Sequence, residues 1–208
     1  MYVPSAFEIS DPAEIAAMLA GIRLGTLVTH GPQGLFASHL PFLHEPEGGR
    51  LIGHLARANP HRDRAGDGQA LAIFLGVDAY VSPSWYASKA AHGRVVPTWN
   101  YEAIHVRGVL TWVDDHERLR SIVTRLTDRF EGGRPEPWSV SDAPEAYIEG
   151  RLGAIVGVEL RIEGIAAKRK FSQNRPDGDR NGVADGLASS NDPRDTLMAA
   201  AMNRDLKT

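Results

Sequence analysis

The chain has 208 residues, a formal net charge of −3 and 42% hydrophobic residues, a composition typical of a globular protein. It contains no cysteine, which excludes disulfides, thiolate catalysis and cysteine-ligated zinc. Because no apolar run reaches about 18 residues and the first residues, MYVPSAFEIS, lack a signal-peptide pattern, we expect a cytoplasmic protein without a membrane span.

The first third of the chain predicts one helix followed by closely spaced strands. Asp11 and Pro12 are typical of a helix start, and apolar residues at helical spacing follow them. Strands are then predicted over 26–29, 35–43, 51–55 and 71–75, the first two joined by a Gly-Pro-Gln-Gly turn. The last of these is apolar throughout, so we expect it to be buried on both faces.

The remainder of the chain predicts further strands and helices. Alternating apolar residues predict strands over 104–113 and 156–162, with Gly108 expected where another backbone comes close. Asp114 and Glu117 resemble a capping box that opens a helix, and a shorter helix is predicted over 144–152. Residues 171–191 are polar and predict a loop, or a segment that orders only against a ligand or partner. Residues 192–206 regain helical character.

This order of elements favours a mainly β (α+β) fold, an antiparallel barrel with peripheral helices. Helices do not alternate with strands, so a Rossmann fold fits poorly. The chain lacks a phosphate-binding P-loop, a dinucleotide-binding glycine motif and a nucleophile elbow. Its eight histidines show no local metal-ligand spacing, and we assign no metal site.

Four short segments combine polar donors with apolar or aromatic residues at predicted strand ends. They are residues 37–42, 53–61, 96–101 and 168–175. This mixture suits a ligand with a flat apolar body and an anionic tail, since the tail needs cationic or amide donors and the body a dry slot. Taken singly, these segments are more often ordinary structure: in chain order, a strand face, a turn or helix start, core or dimer-interface aromatics, and a solvated basic loop.

The same segments, in this order, resemble the PaiB family, described as FMN-binding negative transcriptional regulators. The resemblance runs from Met1 to about Leu187, and the family's usual K-L-S-Q-N-R reads K-F-S-Q-N-R over 170–175. The motifs that carry it are His39-Leu40-Pro41-Phe42, Gly53–His61, Ala79–Tyr86, Pro97–Tyr101, Lys170–Arg175 and Asp179–Val183.

Membership of this family implies an FMN-binding split β-barrel like that of pyridoxamine phosphate oxidases, with FMN at a homodimer interface. We expect this domain over residues 1–190, and a C-terminal helical tail over 191–208. The resemblance places Arg57, Asn59 and His61 near the FMN phosphate. It places Ser38, His39 and the Leu55 backbone along the ribityl chain and ring. Trp99 and Asn100 would close the slot for the ring. Lys170, Ser172 and Gln173 would come from the partner chain.

The regulatory role that the resemblance implies need not involve direct contact with DNA. The net charge is −3, and the longest basic run is only Lys168-Arg169-Lys170. We therefore expect any effect on transcription to be indirect. Two alternatives stay open: a flavin-dependent oxidoreductase of the same superfamily, and a haem-binding protein using His61, His92 or His105.

Overall fold

A computed structural model describes residues 1–66 and 68–205 of the chain. Its strands are β1 (Glu8–Ile9), β2 (Leu24–Gly31), β3 (Gly34–Glu45), β4 (Arg50–Ala56), β5 (Gln69–Val81), β6 (Thr98–Val113) and β7 (Ile155–Lys170). Its helices are α1 (Pro12–Ala20), α2 (His61–Arg64), α3 (Ser88–His92), α4 (His116–Glu131), α5 (Glu145–Gly153), α6 (Asp177–Ala188) and α7 (Pro193–Asp205). Within these described ranges, no helix is long and apolar enough to span a bilayer.

The strands form one sheet that closes on itself. The order is β1-β7-β4-β3-β2-β5-β6, and a further pairing of β7 with β6 joins six of the strands into a ring. Gly108 lies in β6 where a Cβ atom would sit 1.9 Å from the carbonyl oxygen of Arg161 in β7, which confirms the predicted close backbone approach. The predicted mainly β (α+β) class, a barrel with peripheral helices, is confirmed.

The chain divides into two compact units. The central unit comprises residues 13–74 and 105–165, and the terminal unit comprises residues 1–12, 75–104 and 166–208. The expected division into a domain over 1–190 and a tail over 191–208 stays a prediction, and residues 206–208 of that tail lie outside the described residues.

The central unit packs α4 against the barrel. Ile122 and Leu126 of α4 form a buried cluster with Ile52 of β4. The helix is capped by Asp115, whose side chain accepts from the backbone N–H of Arg118 at 2.8 Å. The predicted cap, Asp114, is wrong because its carboxylate is instead bonded to two arginines.

The terminal unit contains a helix where the sequence predicted a loop. The polar stretch forms α6, whose Val183 and Leu187 are fully buried with Phe171 in one apolar cluster. A Cβ at Gly182 would lie 2.1 Å from the carbonyl oxygen of Trp85, and one at Gly186 would lie 2.5 Å from its indole ring. The residues that weaken its helix propensity thus allow the helix to pack closely, and tertiary packing decides its structure.

The predicted burial of 71–75 on both faces is also wrong. Ala72 and Phe74 are buried, whereas Leu71 and Ile73 are half-buried. Leu75 is 74% exposed. This part of β5 therefore buries only one of its two faces, and the apolar side chains of the other face are not explained by packing in the core.

Candidate functional site

Three of the predicted site residues meet in the central unit, where β4 leads into α2. The Asn59 side chain donates from Nδ2 to Ser38 Oγ at 3.1 Å and accepts at Oδ1 from the His61 backbone N–H at 2.9 Å. His61 Nδ1 lies 2.8 Å from the same Ser38 Oγ. Ser38, Asn59 and His61 thus form one hydrogen-bonded network, which fixes the path of the chain after β4.

His61 is the buried centre of this network. Its side chain is fully buried, its Nε2 lies 3.0 Å from Thr29 Oγ1, and the rings of Phe36 and Trp112 pack edge-on against it. Burial lowers the pKa of His61, so the imidazole is neutral at pH 7, with one nitrogen donating and the other accepting. Because both nitrogens are occupied by hydroxyl groups, His61 acts here by positioning its neighbours.

His39 and Leu55 lie on the strands that border this network. His39 is exposed on β3, and its Nδ1 lies 3.0 Å from Oγ1 of Thr26, its register partner on β2. Leu55 is 6% exposed, so its side chain belongs to the core and only its backbone is available to a ligand. Ser38 and His39 occupy opposite faces of β3, as neighbouring strand residues must.

Arg57 is exposed and is bonded away from the Ser38 network. Its Nη1 donates to Asp114 Oδ1 at 2.7 Å and its Nε to the carbonyl oxygen of Gly153 at 3.0 Å. Arg62 binds the same carboxylate through both terminal nitrogens, at 2.9 and 2.7 Å. Hydrogen bonds from Arg62 and Arg57 lower the pKa of Asp114 to about 2. Sequence reasoning missed Arg62 and Asp114, since no local pattern links residues more than 50 positions apart.

In the terminal unit, Lys170 lies beside an exposed aromatic pair. Its Nζ donates to Thr98 Oγ1 and, at 2.6 Å, to the carbonyl oxygen of Trp99. Burial lowers the pKa of Lys170, and the positive charges of Lys168 and Arg175 lower it further. The Trp99 ring is half exposed and meets Tyr80 edge-on, with centroids 6.1 Å apart.

Asn100 and Ser172 form a second buried pair in the terminal unit. Asn100 Nδ2 donates to Ser172 Oγ at 3.1 Å, and Ser172 Oγ donates back to Asn100 Oδ1 at 3.2 Å. Ser172 has φ of 63°, and it is the one non-glycine residue with positive φ in the part of the chain that the structure describes. The pair therefore holds an otherwise unfavourable backbone conformation at the end of β7.

Gln173 completes the turn that contains Ser172. Its Oε1 accepts from the Phe171 N–H at 2.6 Å, and its Nε2 donates to the Arg169 carbonyl oxygen at 2.7 Å. Its amide therefore supports the turn. The structure thus joins Ser38, Asn59 and His61 in one network, and Asn100 and Ser172 in another. Lys170 contacts the backbone of a third predicted residue, Trp99. The side chains of His39, Arg57 and Gln173 bond only to residues outside the predicted set.

Residues 1–66 and 68–205 contain no group of three or more histidines, aspartates or glutamates arranged to hold a metal ion.

Solved structures similar to this chain support the fold. A conserved hypothetical protein, Rv2991, from Mycobacterium tuberculosis matches with a TM-score of 0.58 at 16% identity, over 85% of this chain and 94% of that one. The FAD and heme binding protein from Mycobacterium smegmatis also gives 0.58 at 18% identity, over 86% of this chain and 80% of that one. At such identities these matches concern the fold alone.

Sequence comparison identifies the family. Residues 1–164 match the family described as "Putative FMN-binding domain". The "Protease synthase and sporulation protein PAI 2" of Bacillus subtilis is 32% identical over 210 residues, covering 100% of this chain and 99% of that protein. An uncharacterized protein of Aspergillus fumigatus is 36% identical over 172 residues, covering 67% of this chain and 66% of that protein. Matches of this extent confirm the resemblance carried by the sequence motifs, and the chain belongs to the PaiB family.

Proposed function

We propose that the protein binds FMN at the interface of a homodimer and that it affects transcription indirectly. The observation that carries the proposal is the match of residues 1–164 to an FMN-binding domain family, together with the full-length similarity to PAI 2. When bound, FMN supplies redox chemistry at its ring. The side chains of this protein supply binding, orientation and charge.

The central unit supplies donors suited to the phosphate of FMN. Arg57 is an exposed guanidinium at the end of β4, and such a group forms bidentate, charge-assisted hydrogen bonds to phosphate. The network of Ser38, Asn59 and His61 holds the same stretch of chain in place. A preorganised backbone reduces the entropy lost when the ligand binds.

The terminal unit supplies groups suited to the flavin ring. Trp99 offers a half-exposed aromatic face, and Lys170 places an ammonium group next to the Trp99 backbone. The buried Asn100–Ser172 pair lies on the strand and turn that carry them. We propose that Lys170, Ser172 and Gln173 approach the flavin from the partner chain.

Exposed apolar residues of the terminal unit support the homodimer. Leu75, Tyr80 and Trp99 are each 46% or more exposed, and Val96 and Leu197 are exposed as well. Large exposed apolar side chains are frequent at protein interfaces. A second copy of the chain would remove them from water.

FMN titration of the purified full-length protein, followed by native mass spectrometry, tests the proposal. We expect a dimer that binds one FMN per chain and prefers FMN to riboflavin. Trp99→Ala should lower the affinities for FMN and for riboflavin alike, by about tenfold, because it removes a contact with the flavin ring. Trp138→Ala, which removes a tryptophan of similar exposure, should leave both affinities unchanged.

A monomeric protein would contradict the proposal. So would a protein that takes up neither oxidised nor reduced FMN. Equal affinity for FMN and riboflavin would contradict the role given to the phosphate.

The arginines of α4 argue for an indirect effect on transcription. Each is engaged within the central unit: Arg118 by Glu45 and Glu159, Arg120 by Glu145 and Glu149, Arg125 by Glu45, and Arg129 by the carbonyl oxygen of Ala20. A helix that contacts DNA phosphates would present arginines that are not already paired within the protein.

The basic run at the end of β7 is also engaged by other residues of the chain. Lys168 is 6% exposed with its Nζ 4.9 Å from the Tyr101 ring, Arg169 pairs with Glu102 at 2.9 Å, and Lys170 bonds to the Trp99 backbone. The run therefore serves the fold and the proposed flavin site.

A further inference from the structure

Two arginines of the central unit share one carboxylate on the surface. Arg57 follows β4, Arg62 lies in α2, and Asp114 follows β6. Asp114 Oδ1 accepts from Arg57 at 2.7 Å and from Arg62 at 2.9 Å, while Oδ2 accepts from Arg62 at 2.7 Å. One aspartate thereby holds two guanidinium groups side by side.

The arrangement leaves both arginines able to bind a further anion. A guanidinium carries five N–H donors, and the contacts with Asp114 and Gly153 use two from each arginine. The side chains of Arg57, Arg62 and Asp114 are 44%, 42% and 46% exposed, so an anion can reach them without rearrangement of the core. Arg57, Arg62 and Asp114 carry a net charge of +1 between them, and the neighbouring carboxylate of Asp63 also interacts with Arg62.

The arginine pair flanks the stretch that the proposed function assigns to the FMN phosphate. Asn59 and His61 lie between Arg57 and Arg62 in the chain, and the burial of His61 fixes the position from which Arg62 extends. A phosphate dianion is best held by more than one charge-assisted donor. Arg62 is the arginine nearest to Arg57 in the sequence.

We infer that Arg57 and Arg62 together bind the phosphate of the flavin, and that Asp114 is the positioning residue that holds them in register. This inference rests on the proposed function. It adds a specificity-determining residue, Arg62, and explains why the protein would prefer FMN to riboflavin. A carboxylate between two guanidinium groups offsets their mutual repulsion before the phosphate arrives.

Titration of the full-length protein with FMN and with riboflavin tests this inference through the ratio of the two affinities. Arg62→Gln should weaken FMN binding by about tenfold or more and leave riboflavin binding unchanged, because riboflavin has no phosphate. Arg62→Lys keeps the charge but not the planar group, so its FMN affinity should lie between those of wild type and Arg62→Gln. Arg134→Gln, which removes an exposed arginine paired with Glu131, should change neither affinity.

Asp114→Asn separates positioning from simple repulsion. If Asp114 positions the arginines, its replacement lowers the affinity for FMN and leaves the affinity for riboflavin unchanged. If its charge only repels the phosphate, the variant binds FMN more tightly than wild type does, and the positioning role is overturned. Thermal melting of each variant checks that it is folded.

The outcomes distinguish this inference from the function on which it rests. Wild-type protein that binds no FMN contradicts the proposed function. Wild-type protein that prefers FMN, together with an Arg62→Gln variant that keeps that preference or loses both flavins equally, overturns the inference alone.

Discussion

His61 shows how a buried histidine can hold a stretch of chain in place through its hydrogen bonds. Its two ring nitrogens bond to Thr29 and Ser38, and its backbone N–H bonds to Asn59. Burial lowers its pKa, so the unfolded chain binds a proton at a higher pH than the folded chain does. The stability that depends on this histidine is therefore present above pH 6.5 and is lost as pH falls toward the lowered value of the folded state.

Replacing His61 should change both stability and its dependence on pH. His61→Gln leaves at least one buried hydroxyl partner unsatisfied, and we expect the free energy of unfolding at pH 7.5 to fall by about 1–3 kcal/mol. Because glutamine does not titrate, the loss of stability below pH 6.5 should become shallower, by at most about 1.4 kcal/mol per pH unit. Urea denaturation over a pH series measures both effects.

His30→Gln is the matched control, since His30 is an exposed histidine on the same strand as Thr29. It should shift the free energy of unfolding by less than about 0.5 kcal/mol. A pH profile of His61→Gln parallel to that of wild type would show that this histidine does not carry the effect, and would leave it to the other histidines whose pKa is lowered by burial, His44, His54 and His105.

At the scale of single elements, the close approach of β6 and β7 at Gly108 leaves no room for a larger residue. A methyl group there would overlap the Arg161 carbonyl oxygen, and neither backbone can move without disturbing the ring of strands. We expect Gly108→Ala to lower the free energy of unfolding by about 2–4 kcal/mol, measured by chemical denaturation.

Gly133→Ala is the control for this change, because a Cβ at Gly133 meets no atom within 4 Å. It should be neutral or slightly stabilising. A Gly108→Ala protein as stable as wild type would mean that the two strands are farther apart than described.

The elements differ in how far sequence could predict them. The first hairpin and α4 carry their own periodicity, so their positions follow from local pattern. α6 does not: its glycines and aspartates disfavour a helix, and it is held by packing in an apolar cluster that includes Trp85, nearly 100 residues earlier. The site behaves likewise. Motif resemblance predicted Ser38, Asn59 and His61 as site residues, and the structure brings these three together, but only the fold brings Arg62 to Asp114.

At the scale of the whole molecule, the net charge of −3 and the internal pairing of the basic residues predict weak interaction with DNA. Fluorescence anisotropy with a labelled duplex, measured at about 50 and 200 mM salt, tests this directly. We expect no saturable binding by the FMN-loaded or the flavin-free protein. Saturable binding that weakens about tenfold or more over this salt range would contradict an indirect role in transcription.

Ser172 combines a left-handed backbone conformation with a hydroxyl that bonds to Asn100 on another strand. Glycine would adopt this conformation without steric cost but would lack the hydroxyl, while alanine would keep the cost and lose the bond. The Asn100–Ser172 bonds and the Gln173 amide hold the turn after β7 from two sides, so a movement that separates Asn100 from Ser172 removes one of its two supports.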